Sequence, residues 1–191
     1  MTAGPRRRES FAERRERKAA VDDPAVVLDA AARFLEARSR SVAEVRRRLT
    51  GAGYRAELVD GAIARMVELG MLDDDTFARA WVESRDRARP RGERAIREEL
   101  RLKGVDRAVI DQVLQERRSG SAQGEEPNAH ESLNPDQDAA ERLIAKHRRS
   151  LDRVVDPRQR RQRAYALLAR NGFDPEICRE VAASLLPAAD Y

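Results

Sequence analysis

The residues best suited to chemistry in this sequence are arginines, and their densest run lies between residues 85 and 103. A guanidinium group is a planar fork that makes paired hydrogen bonds to a phosphate or a carboxylate. On a helix, Arg94, Arg97 and Arg101 share one face. This face either binds a phosphate-bearing or acidic partner or is a solvated surface balanced by Glu98 and Glu99. The basic residues of the run are Arg85, Arg87, Arg89, Arg91, Arg94, Arg97, Arg101 and Lys103.

Two other parts of the chain carry basic clusters. Arg46 and Arg47 occupy the helix that corresponds, in an earlier repeat, to the one bearing Arg97. Residues 142–170 contain ten lysines or arginines, opposed only by Asp152 and Asp156. Such clusters attract an anionic partner without naming it. The candidate contact residues in the last cluster are Arg148, Arg149, Arg158, Arg160, Arg161 and Arg163.

No set of residues predicts a catalytic, cofactor or metal site. The sequence has neither a Walker-type phosphate loop nor a G-x-S-x-G element. Cys178 occupies an apolar repeat position, while His130 and His147 have no cysteine nearby with which to bind zinc. Consecutive aspartates at 73–75 point in different directions on a helix, so they predict a helix cap rather than a metal site. We therefore expect a protein that is not an enzyme.

The basic clusters must be positioned by helices, because one helical pattern occurs three times. In each copy a leucine is followed four residues later by glycine, and apolar residues then recur at helical spacing. The glycine suits the left-handed residue that ends a helix. A further helix precedes each pair, so the pattern predicts an all-α chain of three tandem three-helix, helix-turn-helix-like repeats. The copies begin at Leu49 with Gly53, Leu100 with Gly104, and Leu168 with Gly172.

The domain limits follow from these repeats and from changes in composition. Repeat 1 is predicted at residues 25–72, repeat 2 at 73–117 and repeat 3 at 137–187. Residues 118–136 are rich in glycine, proline and polar side chains, which is typical of a flexible linker. Residues 1–24 are predicted as a disordered basic tail, apart from a short helix near Phe11.

Aromatic side chains are scarce, at 4% of residues. Most fall at apolar positions of the repeats, so we expect them in the core and expect little base stacking. A DNA contact would then be mainly with the backbone. The aromatic residues predicted in the core are Phe34, Tyr54, Phe77, Trp81 and Phe173.

Composition narrows the class of protein. Hydrophobic residues make up 41% and charged residues 38%, which favours thin helical packing over one thick core. No apolar run reaches membrane-spanning length, and a single cysteine forms no internal disulfide. These features predict a cytoplasmic protein without a membrane partner. The lack of a heptad seam favours a monomer.

The sequence resembles the RecX family of recombination regulators. The run Gly70–Ala78, Gly-Met-Leu-Asp-Asp-Asp-Thr-Phe-Ala, looks like the family's most recognisable stretch, and residues 91–105 look like its continuation. The likeness covers about residues 26–117, and residues 138–186 more loosely. It implies three tandem three-helix repeats in an elongated, curved chain. The N-terminal tail and the linker depart from the family's pattern and leave the placement of repeat 3 open.

The resemblance also implies a partner and an activity. Family members bind the RecA recombinase, lodge in the groove of its filament on DNA, and curb ATP hydrolysis, strand exchange and coprotease activity. Some also bind DNA, which adds single- or double-stranded DNA as a partner of the basic faces.

Two alternatives remain at this point. One is a DNA-binding helix-turn-helix regulator, which needs a recognition helix with base-reading side chains. The second helix of each pair instead carries acidic residues such as Asp60 and Asp111, which repel phosphates. The other is a helical scaffold for an unrelated protein.

Overall fold

The computed structural model describes residues 9–120 and 134–185, and over these residues the chain forms ten α-helices and no β-strand. The chain divides within α5 into two compact units, Met1–Phe77 and Ala78–Tyr191. The helices are α1 (Phe11–Ala19), α2 (Pro24–Glu36), α3 (Val42–Ala52), α4 (Ala56–Glu68), α5 (Asp74–Ala88), α6 (Glu93–Lys103), α7 (Arg107–Gly120), α8 (Pro135–Leu151), α9 (Pro157–Arg170) and α10 (Pro175–Ala183).

In the first unit, α2, α3 and α4 pack around one apolar core. Val27, Val45 and Leu49 are almost fully buried, together with Val59 and Met66 from α4. A capping box at Ser41 satisfies the first turn of α3, and Gly53 ends that helix in the left-handed conformation (φ 106°). The glycine stop predicted for repeat 1 is therefore present, and it separates α3 from α4.

In the second unit, α6 and α7 continue the same pattern. Ile96, Leu100 and Leu114 are fully buried, and Gly104 ends α6 with φ 80°. The cluster built from α8, α9 and α10 is centred on Leu168, and its helices pack against one another. Each of these three helices begins with proline after an Asn or Asp cap, an arrangement that preorganises a first turn. The prediction of an all-α chain with three-helix repeats is confirmed.

Of the five aromatic residues predicted in the core, two are less buried than expected, although Phe34 still packs against the core of repeat 1. Tyr54, Phe77 and Phe173 are buried, as predicted, but Phe34 and Trp81 are only partly buried. Arginine stems and their cations cover the faces of both rings: Arg40 and Arg48 lie over Phe34, and Arg85 and Lys103 over Trp81. Cation–π contacts therefore cover the part of each ring that the core leaves exposed.

Parts of the predicted tail and of the predicted linker are helical in the described residues. Helix α1 lies inside residues 1–24, and α2 begins at Pro24. Helix α7 runs to Gly120 and α8 begins at Pro135, so both extend into the stretch 118–136. Residues 1–8 and 121–133 of these two predictions lie outside the described residues.

Candidate partner-binding surfaces

The predicted arginine face of α6 is largely neutralised by carboxylates of α6 and α7. Arg97 donates hydrogen bonds to Asp111 on α7 and to Glu93, and Arg101 pairs with Glu98 at 2.8 Å. The hydrogen bond from Arg97 lowers the pKa of Asp111, in keeping with a charged pair. The solvated-surface alternative therefore fits Arg97 and Arg101. Arg94 is exposed and makes no ion pair with any described residue.

The same ion pair occurs in repeat 1, where Arg46 bonds to Asp60. In both repeats the arginine lies three residues before the repeat leucine and the aspartate seven residues after the glycine, so the pair joins the two helices across the turn. The aspartates that seemed to repel phosphates are thus partners of the candidate arginines. In repeat 3 the same positions hold Tyr165 and Arg179, so this pair is missing there.

Arg85, Arg91 and Lys103 surround Trp81 and Glu99. Glu99 accepts hydrogen bonds from the Trp81 indole at 2.8 Å and from Arg85 Nε at 2.6 Å, and it lies 3.7 Å from Arg91. Lys103 covers the Trp81 ring at 4.7 Å. These contacts tie α5 to α6, and they leave the Arg85 side chain only 16% exposed.

The remaining candidates of repeats 1 and 2 have mixed surroundings. Arg87 pairs with Glu83 one turn earlier on α5, a surface pair of small energetic value. Arg89 is exposed and has no ion pair within the described ranges. Arg47 lies on α3, where it lines a groove shared with α1.

Repeat 3 keeps the largest set of exposed arginines without carboxylate partners. Arg160 donates to the Val154 carbonyl at 3.1 Å, and Arg148 lies 3.6 Å from Asp152. The other candidates of this repeat are exposed and form no ion pair among residues 9–120 and 134–185. They are Arg149, Arg158, Arg161 and Arg163. This concentration of unpaired cations makes the α8–α9 surface the stronger candidate for an anionic partner.

Repeat 3 is held against repeat 2 by a buried arginine. The Arg117 guanidinium, with 5% of its side chain exposed, donates to both oxygens of Asp86 and to Asp136 at 2.6 Å. Asp136 also accepts the backbone N–H of Glu93 at 2.9 Å. Burial lowers the pKa of Arg117, but its hydrogen bonds to the two aspartates outweigh burial and raise that pKa overall. The cluster joins α5, α7, α8 and the start of α6.

A close backbone contact supports this cluster. The Gly92 N–H donates to the Asn171 carbonyl at 3.0 Å, and Arg91 donates to the Asn171 side chain at 2.9 Å. A Cβ atom on Gly92 would lie 2.5 Å from the Cα atom of Phe173, so only glycine fits. The sequence left the placement of repeat 3 open; these contacts seat it on repeat 2. Neither Arg117 nor Gly92 was singled out from the sequence as a residue that fixes this placement.

The aspartates at 73–75 cap α5. Asp73 accepts the N–H groups of Asp75 and Thr76, while Asp74 accepts the Val42 N–H at 2.8 Å. Burial of Asp74 raises its pKa, although the hydrogen bond from Val42 opposes this. Within the described residues no cluster of His, Cys, Asp or Glu is suited to a metal ion. Cys178 is buried, and burial raises the pKa of its thiol, as expected for a core residue.

Comparison with known proteins decides the family. Three family models match along the chain: the first three-helix domain of RecX at residues 28–66, the second at 73–114 and the third at 135–182. The chain belongs to the RecX family. Its relatives include the regulatory protein RecX of Mycobacterium sp. (strain JLS), 34% identical over 152 residues that cover 78% of this chain and 75% of that protein. The RecX of Mycobacterium bovis (strain BCG / Pasteur 1173P2) is 33% identical over 159 residues, which cover 82% of this chain and 83% of that protein.

Solved structures of RecX proteins share the fold. The crystal structure of RecX from Lactobacillus salivarius matches with a TM-score of 0.67 at 18% identity, covering 86% of this chain and 97% of that one. A second crystal structure of a regulatory protein RecX gives a TM-score of 0.66 at 19% identity, covering 84% of this chain and 71% of that one.

The RecX domains also locate the features that sequence reasoning missed. Arg117 lies just after the second matched RecX domain, and Asp136 lies at the start of the third. Helix α1 precedes the first matched domain. None of the helices described is long and apolar enough to cross a membrane.

Proposed function

We propose that this RecX-family chain binds a RecA recombinase filament on DNA and inhibits ATP hydrolysis, strand exchange and coprotease activity. The observation that carries the proposal is the match of all three RecX domains in order along one chain. The relatives are named regulatory proteins, and the proposal gives this chain no catalytic step of its own. A partner on chromosomal DNA would place it in the cytoplasm.

The charge distribution supports a nucleoprotein partner. Repeats 1 and 2 pair Arg46 and Arg97 internally, whereas the α8–α9 surface presents arginines such as Arg161 without carboxylate partners. In this proposal the α8–α9 surface contacts acidic protein surface or phosphates of the filament. Such contacts accelerate association and weaken as salt rises.

The Arg117 cluster supports a mechanism of bridging. Because Arg117 ties repeat 2 to repeat 3, the two repeats would reach two neighbouring recombinase subunits as one preorganised body. A second contact made from such a body loses little further entropy, so overall affinity exceeds that of either repeat. Bridged subunits could not make the motions that accompany ATP hydrolysis.

The test is single-stranded-DNA-dependent ATP hydrolysis by the cognate RecA during titration with this protein. We expect inhibition well below one chain per recombinase subunit. A triple variant with Arg158→Gln, Arg161→Gln and Arg163→Gln should need several-fold more protein. The control removes three charges elsewhere, from the exposed Arg33, Arg65 and Arg107.

Two outcomes would count against the proposal. No inhibition by folded wild-type protein in stoichiometric excess would overturn recombinase regulation and move the scaffold alternative ahead. Equal weakening in the two triple variants would show that net charge, rather than the α8–α9 surface, determines binding.

The alternative of a sequence-specific DNA-binding regulator is less well supported. In the third helices of repeats 1 and 2, Asp60 and Asp111 are bonded to arginines of the second helices. Specific binding would require side chains that read base edges. Equal affinity for random and selected duplexes would eliminate this alternative.

A further inference from the structure

A basic groove lies between α1 and α3 in the first unit. It has a volume of about 550 Å³, and its lining contains five basic residues and no acidic residue. Arg14 makes no ion pair with a described residue, and Gly51 leaves the floor open, with no atom within 4 Å of the position a Cβ would take. The lining that matters here is Phe11, Arg14, Lys18, Arg47, Arg48 and Gly51.

Helix α1 is seated on α3 although it buries none of its own side chains. A Cβ atom on Gly53 would lie 2.7 Å from the Arg15 carbonyl oxygen, so the two backbones touch. Lys18 lies over the Tyr54 ring at 4.7 Å, and the capping box of Ser10 and Glu13 orders the first turn. The groove is therefore formed by packed elements, not by a loose chain end.

The positive charge of the groove does not explain why the Phe11 side chain is exposed there. Phe11 is 65% exposed and lines the groove together with Arg14 and Arg15. Among residues 9–120 and 134–185, neither the apolar core nor a cation–π contact covers this ring. It is suited to a ligand that offers a flat apolar face next to negative charges.

We propose that the α1–α3 groove binds a single strand of nucleic acid, with phosphates on the arginines and one base stacked on Phe11. A duplex keeps its bases paired inside, whereas a single strand can turn a base onto an aromatic ring. An acidic peptide would match the cations but would not need the ring. The site includes α1, which precedes the first RecX domain, and it does not depend on recombinase binding.

The first test measures binding of the full-length protein to a fluorescein-labelled 20-mer of deoxythymidylate, by anisotropy and without recombinase. Arg14→Gln should weaken binding several-fold and reduce the slope of log affinity against log salt by about 0.7, the value for one single-strand phosphate contact. The matched control is Arg17→Gln on the same helix. Arg17 pairs with Glu9 and is not part of the groove, so its loss should change little. Equal effects of the two substitutions would overturn the site.

The second test separates stacking from charge. Phe11→Ala should weaken binding of the thymidylate 20-mer about tenfold, within the range measured for base–aromatic stacking. It should leave binding of an abasic phosphodiester chain of equal length unchanged, and Phe11→Trp should restore stacking. Equal loss for both ligands, or binding of a glutamate 20-mer as tight as the oligonucleotide and indifferent to Phe11, would overturn the nucleic-acid assignment.

Discussion

The backbones of Gly92 and Gly172 pass so close that a Cβ atom on Gly92 would overlap the Gly172 carbonyl group. The start of α6 and the turn after α9 therefore meet without any side chain between them. Substitutions at Gly92 or Gly172 therefore test the contact between repeat 3 and repeat 2.

We expect Gly92→Ala to destabilise the contact by roughly 1–3 kcal/mol, the usual range for overpacking. Either the backbones move apart or the Gly92–Asn171 hydrogen bond is lost. Hydrogen exchange of α8–α10 and thermal unfolding measure this. Gly61→Ala is the control, because nothing lies within 4 Å of that position and alanine should stabilise α4 by about 0.5–1 kcal/mol. Two similar stability changes would contradict the close contact.

We expect Arg117→Ala to cost about 3–5 kcal/mol, since it leaves Asp86 and Asp136 with an uncompensated buried charge. Denaturant unfolding measures the loss. The neighbouring Arg118 is half exposed and only 3.5 Å from Glu93, so Arg118→Ala should cost less than about 1 kcal/mol. If both variants unfold alike, the Arg117 cluster does not hold the repeats.

Asp74 should make stability depend on pH in the direction opposite to most carboxylates. Burial raises its folded-state pKa above 3.8, so the folded state holds this proton more tightly than the unfolded chain. Its contribution therefore falls as pH rises from the unfolded pKa through the folded pKa, then levels off. Asp74→Asn should remove this decline, while its amide oxygen still accepts the Val42 N–H.

Unfolding free energies between pH 3 and 7 would test this. Asp75→Asn, which removes a neighbouring charge on the same helix, should leave the contribution of Asp74 in place. An unchanged pH profile in Asp74→Asn would show that its carboxyl has no elevated pKa.

Asp111 should control how basic the α6 face is. Asp111→Asn weakens the pairing of Arg97 and should increase affinity for the thymidylate 20-mer at low salt. Asp106→Asn makes the same change in net charge but lies at the α7 cap, where asparagine can still accept the Ala108 N–H. A greater gain in Asp111→Asn than in Asp106→Asn is expected. Equal gains would mean that only total charge matters.

The helices could be predicted because their signals are local. A leucine, a glycine four residues later and an apolar stripe specify a helix, its left-handed stop and its successor, and Gly53, Gly104 and Gly172 all have positive φ. The burial of Cys178 followed from the same repeat. These features depend on residues within a few turns of one another.

The site could be predicted only in part, because charge pairing depends on packing. Arg97 and Asp111 lie 14 residues apart, across a turn, and only their recurrence as Arg46 and Asp60 would have indicated a pair. Arg117 and Asp136 belong to no repeat pattern, so the sequence contained no sign of their contact. The sequence predicts the short helix near Phe11 but not its packing on α3, because one short amphipathic helix does not reveal what it packs against.

The Arg117–Asp136 ion pair fixes how repeats 2 and 3 are arranged, whatever the number of residues between the two side chains. Arg117 Nη1 and Asp136 Oδ1 lie 2.6 Å apart. The end of repeat 2 and the start of repeat 3 are therefore held together by this ion pair. Residues 121–133 lie outside the described residues, and the sequence predicts a flexible linker over 118–136; lengthening such a linker would cost about 0.6 kcal/mol of loop-closure entropy for each doubling. We therefore expect that a fluorescent protein or an affinity tag inserted in the predicted linker would leave the contact between repeats 2 and 3 unchanged.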